Sequence, residues 1–499
     1  MALEPHLTSM ADDGKLHIVM VPWLVFGYMI PYLELTKLVA QKGHKVSFVS
    51  TAKNIDRLPK LPPSLSSLLN FVKLPLPLTE NLPENADANS DLPYDKVQYL
   101  KITFDSMQES MAHFLEASDP DWLLYDFAPY WLGPIAAKLN ISSAFFTIMI
   151  AACMGFLGPS SAVVHENDDR NKAGDYTVPP KWVSFPSTVA FRLYEVLRMT
   201  DSFMGNDSGV SNLHHLAASA KGCDVLAVRS CSEFEPEWLQ VLEEIHEKPI
   251  FPVGQLPTTA YDEGDDDNNK DARREMKEWL DKQDKGSMVY VAFGSDAKPT
   301  QHELTEIALG LELSQLPFFW VLRKRRGLVD TELIELLDGF EERTKGVGVI
   351  CTSWVPQLKI LSHDLVGGFL THSGWSSVVE AIQFERDLIL LTCLADHGLN
   401  ARLLEEKKIA YSIPRDERDR SFTRDSVAES LRLVIVDEER DVYRDRVKEM
   451  KGLFGSRDKQ ERFAVAEEMS SSSEVSEESS EVVLLVIGGG ARRRRMRRV

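Results

Sequence analysis

The strongest constraint on this chain is a repeated alternation of short apolar runs with stretches of helical period. "LHIVMV", "MIPYLELTKLVAQKG" and "HKVSFVS" follow in order between residues 16 and 50. Parallel strands need a crossover longer than any hairpin turn, so this triplet predicts a βαβ unit. Tyr28 falls between the first run and the helical pattern, and reads as part of the loop after the first strand. "WLLYDFA" and "SAFFTIM" continue the series. The second half has the same style without visibly repeating the sequence: "SMVYVAFGS", a helix over "TQHELTEIALGLELS", then "PFFWVLR", "GVGVICTSW", "VGGFLTHSG" and "DLILLT". The expected fold class is α/β, with mostly parallel sheets between helical layers.

At 499 residues the chain exceeds what one hydrophobic core normally serves, and two domains are expected. Between the halves, "PTTAYDEGDDDNNKD" is acidic, lacks a core face and reads as an exposed linker. Its run Asp265, Asp266, Asp267 is more economically a solvated charge block than a metal motif. After "KQERFAV" the composition changes to an acidic serine-rich stretch, a short apolar run and "ARRRRMRRV", an atypical low-complexity tail.

A formal net charge of −20 argues against binding nucleic acid, itself a dense polyanion. The five cysteines, Cys153, Cys223, Cys231, Cys351 and Cys393, are scattered without a CxxC pair, as expected of thiols in a reducing compartment. The first residues are polar and acidic, unlike a secretory signal, and no stretch has the roughly 20 apolar residues needed to cross a bilayer. A cytoplasmic protein without stable membrane insertion is expected.

Chemistry concentrates in "WVPQLKILSHDLVGGFLTHSGWSSVVEAIQFERDLILLTCLADHGLN", Trp354 to Asn400. "VGGFLTH" reads as a buried strand ending at His372. "SGWSSVVEAIQF" then turns into a helix that carries Ser373, Ser376 and Ser377 at its start. Hydroxyls and free backbone N–H groups at such a start suit an anion of the phosphate kind. Glu380 lies one turn farther, able to accept hydrogen bonds from sugar hydroxyls, and Trp354 offers a flat face for a base. No GxGxxG follows a strand, and no P-loop glycine motif occurs.

These residues resemble the 44-residue donor signature of plant UDP-dependent glycosyltransferases, which Trp354 to His397 matches in length. The anchors Trp354, Pro356, Gln357, His363, Gly367, His372, Gly374, Trp375, Ser377, Glu380, Asp396 and Asn400 coincide. "PWLVFG", "LYDFAPYWL" and "LNARLLEEKKI" look like the subgroup that adds branching sugars to glycosides, including soyasaponin rhamnosyltransferases. The resemblance implies the GT-B fold, two Rossmann-like domains facing a central cleft. On that basis residues 1–14 form a flexible N-terminus, 15–254 the acceptor-binding domain, 255–274 the acidic linker, 275–465 the UDP-sugar-binding domain and 466–499 the atypical tail.

The resemblance also assigns roles. Trp354 would stack on uracil, Gln357 would border the nucleoside and Glu380 would bind ribose hydroxyls. Ser295, His372, Ser376 and Ser377 would surround the diphosphate, and Trp375, Asp396 and His397 would face the donor sugar. No metal or bound cofactor is implied, the UDP-sugar being a co-substrate and a small glycoside the acceptor. A monomer is expected.

Four departures stand out. The family's base is a histidine where Tyr28 stands, partnered by an Asp at a strand end, here Asp126. A phenol with an unperturbed pKa of about 10 is a poor base near neutral pH. The last signature position, commonly Gln in glucosyltransferases, is His397, which leaves rhamnose, galactose or a pentose open. Glu385 replaces a usual Gly, and Asp387 a small or apolar residue. The segment that in GT-B proteins returns to the N-terminal domain is expected to be overwritten by the tail. The two functional expectations are therefore an inverting UDP-glycosyltransferase impaired by Tyr28, and a non-catalytic UDP-sugar or glycoside binder. An NAD-dependent oxidoreductase is disfavoured by the missing glycine fingerprint.

Overall fold

The structure, a computed structural model, describes residues 15–456 apart from 84, 94–95, 162–169, 171, 198–208, 260–283, 295–298, 323–335, 354 and 394–395. Residues 1–14, the Asp265–Asp267 run and the tail therefore lie outside the described residues. The first sheet holds β1 (His17–Val21), β2 (Lys45–Ser50), β3 (Leu69–Lys73), β4 (Trp122–Tyr125), β5 (Ser142–Thr147), β6 (Val225–Val228) and β7 (Ile250–Pro252). The second holds β8 (Met288–Ala292), β9 (Phe318–Val321), β10 (Gly348–Cys351), β11 (Val366–Thr371), β12 (Asp387–Leu390) and β13 (Ala410–Ser412).

Every pairing is parallel, in the orders β3-β2-β1-β4-β5-β6-β7 and β10-β9-β8-β11-β12-β13. Each sheet thus reverses direction once, at β1/β4 and at β8/β11. In doubly wound sheets ligands bind beyond the carboxyl ends of the strands at such a reversal. Helices cover both faces, so the central strands are apolar on both sides: Ile18 and Met20 pack with Tyr32 and Leu33, Val19 and Val21 with Leu123 and Tyr125.

One local expectation changes. Tyr28 is not in a loop but in the first turn of a helix spanning Phe26–Gln41, whose opening is marked by Tyr28 N donating to Val25 O at 2.8 Å. Pro31 lies inside this helix, where its missing N–H leaves the carbonyl of Gly27 without the usual partner. So near the helix start that loss is tolerated, and the turn exposes its first residues to the cleft.

The departures from family pattern in the second domain are absorbed by the last described helix, Arg440–Phe454. Asp387, almost fully buried at the start of β12, meets Arg444 at 3.3 Å, yet burial still pushes its carboxyl up to about 6. Glu385 pairs with Lys451 at 2.7 Å. Phe454 at the helix end contacts Phe234 of the first domain, ring centroids 5.1 Å apart, so a return to the N-terminal domain is made before the tail begins.

Glu385 has φ +58°, the left-handed backbone that disfavours any side chain. Its ion pair is exposed and contributes little. Glu385→Gly is therefore expected to stabilise the protein by about 0.5 to 1 kcal/mol, read as a rise in thermal midpoint; a fall would mean the Lys451 pair outweighs the backbone strain.

Candidate active site

The site forms where the carboxyl ends of the two sheets meet. On the second-domain side, β11 runs directly into His372, Ser373 and Gly374, and the helix Trp375–Gln383 starts there with Gly374 as its N-cap and no side-chain cap. Its first amide groups are left for a ligand. Gly294, beyond β8, has φ +72°, and a Cβ there would meet the His372 ring at 2.9 Å, so glycine lets this loop close over the histidine.

Along one side of that helix, side chains from three sources converge. Gln357 Nε2 donates to Glu380 Oε2 at 2.7 Å and to Ser377 Oγ at 3.3 Å. Thr258, between the domains, donates its hydroxyl to Glu380 Oε1 at 3.0 Å. Arg229, beyond β6 of the first domain, donates from Nη1 to Ser376 Oγ at 2.8 Å. Trp375 points the other way: it is buried, donates Nε1 to Gln255 Oε1 at 2.9 Å and packs against Phe234 and Phe454. Burial raises the Glu380 carboxyl above its ordinary range, opposed by Gln357, Thr258 and Arg229.

At the far end of the cleft His372 and His397 meet edge to face, ring centroids 4.6 Å apart. Burial, then the neighbouring His397, holds His372 well below its ordinary pKa, while Asp396 opposes this. Asp396 Oδ2 accepts from Asn400 Nδ2 at 2.9 Å, and the same amide reaches Ser373 O at 3.0 Å, tying the loop at Asp396 to the helix start. Asn400 Oδ1 in turn accepts from Cys153 of the first domain at 3.2 Å. The Glu195 carboxylate of the first domain accepts from Thr392 Oγ1 at 2.8 Å, and sits so close to Gly398 that any Cβ there would collide with it.

Burial lowers His397 to about 4, whereas an unfolded histidine titrates near 6.5. Its neutral form therefore contributes stability that is fully present above pH 6.5 and is lost as pH falls toward 4. Between pH 7 and pH 5 the wild type is expected to lose of order 1 kcal/mol more than His397→Gln, read from thermal midpoints at the two values. Parallel losses in both proteins would refute a neutral, desolvated imidazole.

Across the cleft Asp126 follows β4 and is 1% exposed. Its Oδ1 accepts from Phe127 N at 2.5 Å, while Oδ2 is buried without a hydrogen-bond partner. Desolvation holds this carboxyl well above its ordinary pKa, with backbone N–H groups of Phe127 and Trp23 opposing. Tyr28 packs on Phe127 at 5.6 Å between ring centroids, so both predicted residues lie at the β1/β4 reversal. Ser295 and Trp354 lie outside the described residues.

Sequence reasoning missed Arg229, Gln255, Thr258, Cys153 and Glu195. Arg229 and Ser376 are separated by 147 positions, and nothing in "AVRSCSEF" announces a partner in the other domain. An arginine directly after a buried strand was the only available signal.

Two parallel doubly wound sheets whose carboxyl edges face one another across a cleft are the GT-B architecture. Solved structures agree: a UDP-glucosyltransferase from Polygonum tinctorium capable of glucosylating indoxyl superposes with a TM-score of 0.71 at 23% identity, over 95% of this chain and 98% of that one. The family model for UDP-glucoronosyl and UDP-glucosyl transferases matches residues 203–455. Among curated relatives, UDP-glycosyltransferase 91A1 of Arabidopsis thaliana is 52% identical over 91% of this chain and 96% of its own length. Soyasaponin III rhamnosyltransferase of Glycine max is 41% identical over 92% and 95%. The chain belongs to the plant UDP-glycosyltransferase family. No described helix is long and apolar enough to cross a membrane.

Proposed function

We propose that this protein transfers a sugar, a hexose or rhamnose, from its UDP carrier to a hydroxyl of a small glycosylated plant metabolite of the terpenoid or flavonoid type. The observation that carries this is the convergence of Gln357, Ser376, Ser377 and Glu380 along one helix beside His372, Asp396 and His397. A relative points to the chemistry: it is a soyasaponin III rhamnosyltransferase.

In this assignment the uracil stacks on Trp354 with Gln357 at its border, and Glu380 takes the ribose hydroxyls. Ser295, His372, Ser376, Ser377 and the amides opening the Trp375–Gln383 helix hold the diphosphate. Fixed donors and the helix start offset the charge growing on the leaving UDP, with no metal or bound cofactor. Trp375, Asp396 and His397 surround the sugar; Trp375 would act through its backbone, since its ring is turned toward Gln255 and Phe234. The acceptor oxygen attacks the anomeric carbon opposite UDP, inverting it through an oxocarbenium-like state, and its proton passes to the Tyr28–Asp126 side. The protein acts in the cytoplasm as a monomer.

A second function is favoured by one observation: Asp126 Oδ2 lacks the partner that the family's histidine would supply. In that case the chain binds UDP-sugar or glycoside without turnover. Release of UDP from a panel of UDP-sugars with mixed plant glycosides, with product mass and UDP binding measured in parallel, decides between them. Turnover establishes the transferase; UDP binding without turnover establishes the binder; neither would overturn both.

A further inference from the structure

Arg229 stands apart electrostatically among the described residues, a guanidinium buried completely without an ion pair. It is 1% exposed, at the carboxyl end of β6, and lies across the domain boundary from the start of the Trp375–Gln383 helix. Three donations are made: Nε to Gln255 O at 2.8 Å, Nη2 to Leu256 O at 3.3 Å and Nη1 to Ser376 Oγ at 2.8 Å. All three acceptors are neutral. No carboxylate of the described residues forms an ion pair with it, although Glu380 and Glu34 lie near enough to favour its charge. Glu380 is committed to Gln357 and Thr258, and Glu34 accepts from Lys37 at 2.9 Å.

A buried guanidinium facing only neutral acceptors is costly unless an anion completes its surroundings. Next to it the helix offers uncapped amides, and Ser373, fully buried in the turn that enters the helix, has a hydroxyl with no hydrogen-bond partner. Donors from both domains therefore flank the start of one helix, and among the described residues none of them is hydrogen-bonded to an anion. A guanidinium's planar fork matches phosphate oxygens in a way a lysine's point charge does not.

We propose that Arg229 is a diphosphate ligand supplied by the N-terminal domain, donating to the nucleotide's phosphate oxygens beside Ser376 and thereby joining both domains through the bound donor. This rests on the assignment of a UDP-sugar donor given above. It adds a contact from the acceptor-side domain to a group otherwise assigned to residues of the donor-side domain. It also predicts that the diphosphate, rather than the base or ribose, couples nucleotide binding to domain closure.

The test is calorimetric titration of the full chain with UDP and with uridine, for wild type, Arg229→Gln and Arg229→Lys. Wild type is expected to prefer UDP strongly. Arg229→Gln should lower UDP affinity by at least about tenfold while leaving uridine affinity within about twofold, and Arg229→Lys should show a smaller fall of about threefold. Uridine binding doubles as the check that each variant is folded, and if the glutamine variant fails it, the lysine variant carries the comparison. An unchanged UDP-to-uridine ratio in a folded variant, or equal losses for both ligands, would make Arg229 a strut between domains and overturn the proposal. Failure of wild type to bind UDP at all would instead overturn the donor assignment itself.

Discussion

Replacing Tyr28 by histidine is expected to raise turnover at least about tenfold while leaving UDP affinity nearly unchanged. Tyr28 sits in the first turn of the Phe26–Gln41 helix, against Phe127, the residue after Asp126. Asp126 Oδ2 is buried with no partner, which is where an imidazole Nδ1–H would donate. With that bond made, Nε2 faces the cleft as a base, and the histidine's charged form gains a carboxylate neighbour as the acceptor proton is taken. A phenol of unperturbed pKa about 10 offers only about one part in a thousand phenolate at neutral pH. Because Tyr28 belongs to the first domain, away from Gln357 and Glu380, UDP binding should not report the change. An unaltered rate in a folded, UDP-binding variant would mean that Tyr28 already serves. Attention would then move to Asp126 acting directly on the acceptor, and Asp126→Asn would be expected to abolish turnover.

The second large effect is expected at Glu380. Its carboxylate is assigned to the ribose diol, and charge-assisted hydrogen bonds of this kind are the strong ones. Glu380→Ala should weaken UDP binding by about 100-fold or more, a loss of about 2.7 kcal/mol. The structure adds a companion test, because Thr258 already donates to Oε1 at 3.0 Å and so stands where a ribose hydroxyl would donate. Thr258→Val keeps the volume and removes that competitor, so UDP should bind about threefold to tenfold more tightly. Opposite signs from two substitutions on one hydrogen bond are hard to produce by general loosening. Wild-type affinity in Glu380→Ala would sink the ribose assignment; a weakening in Thr258→Val would show that Thr258 supports the site instead of competing for it.

Much of the fold was legible because parallel strands buried on both faces write themselves as unbroken apolar runs. "LHIVMV", "SMVYVAFGS" and "VGGFLTHSG" became β1, β8 and β11, the central strands at which each sheet reverses. The strands left unread were β3, β6, β7 and β13. β3 is half exposed, β6 and β13 have four and three residues, and β7 ends in Pro252 at the sheet edge, where a missing N–H costs little. The left-handed backbone at Glu385 was legible as the usual place of a glycine, while its Lys451 partner 66 positions away was not. The Trp375–Gln383 helix was legible from the pattern that follows His372, but the direction of the Trp375 ring was not, since Gln255 and Phe234 belong to another part of the chain. Sequence spacing reports what one element presents; it is silent on what a second domain brings to meet it.

The boundary between the domains has one further consequence. Arg229 to Ser376, Gln255 to Trp375, Thr258 to Glu380, Glu195 to Thr392 and Cys153 to Asn400 are all polar contacts, and Phe234 meets Trp375 and Phe454 among them. Water can replace each of those polar partners, so these directional contacts can be exchanged for solvent as the seam opens and remade as it closes. A bulky small-molecule substrate can then enter and leave at each turn of a working cycle through reversible breathing of the seam, with no need for a permanent tunnel.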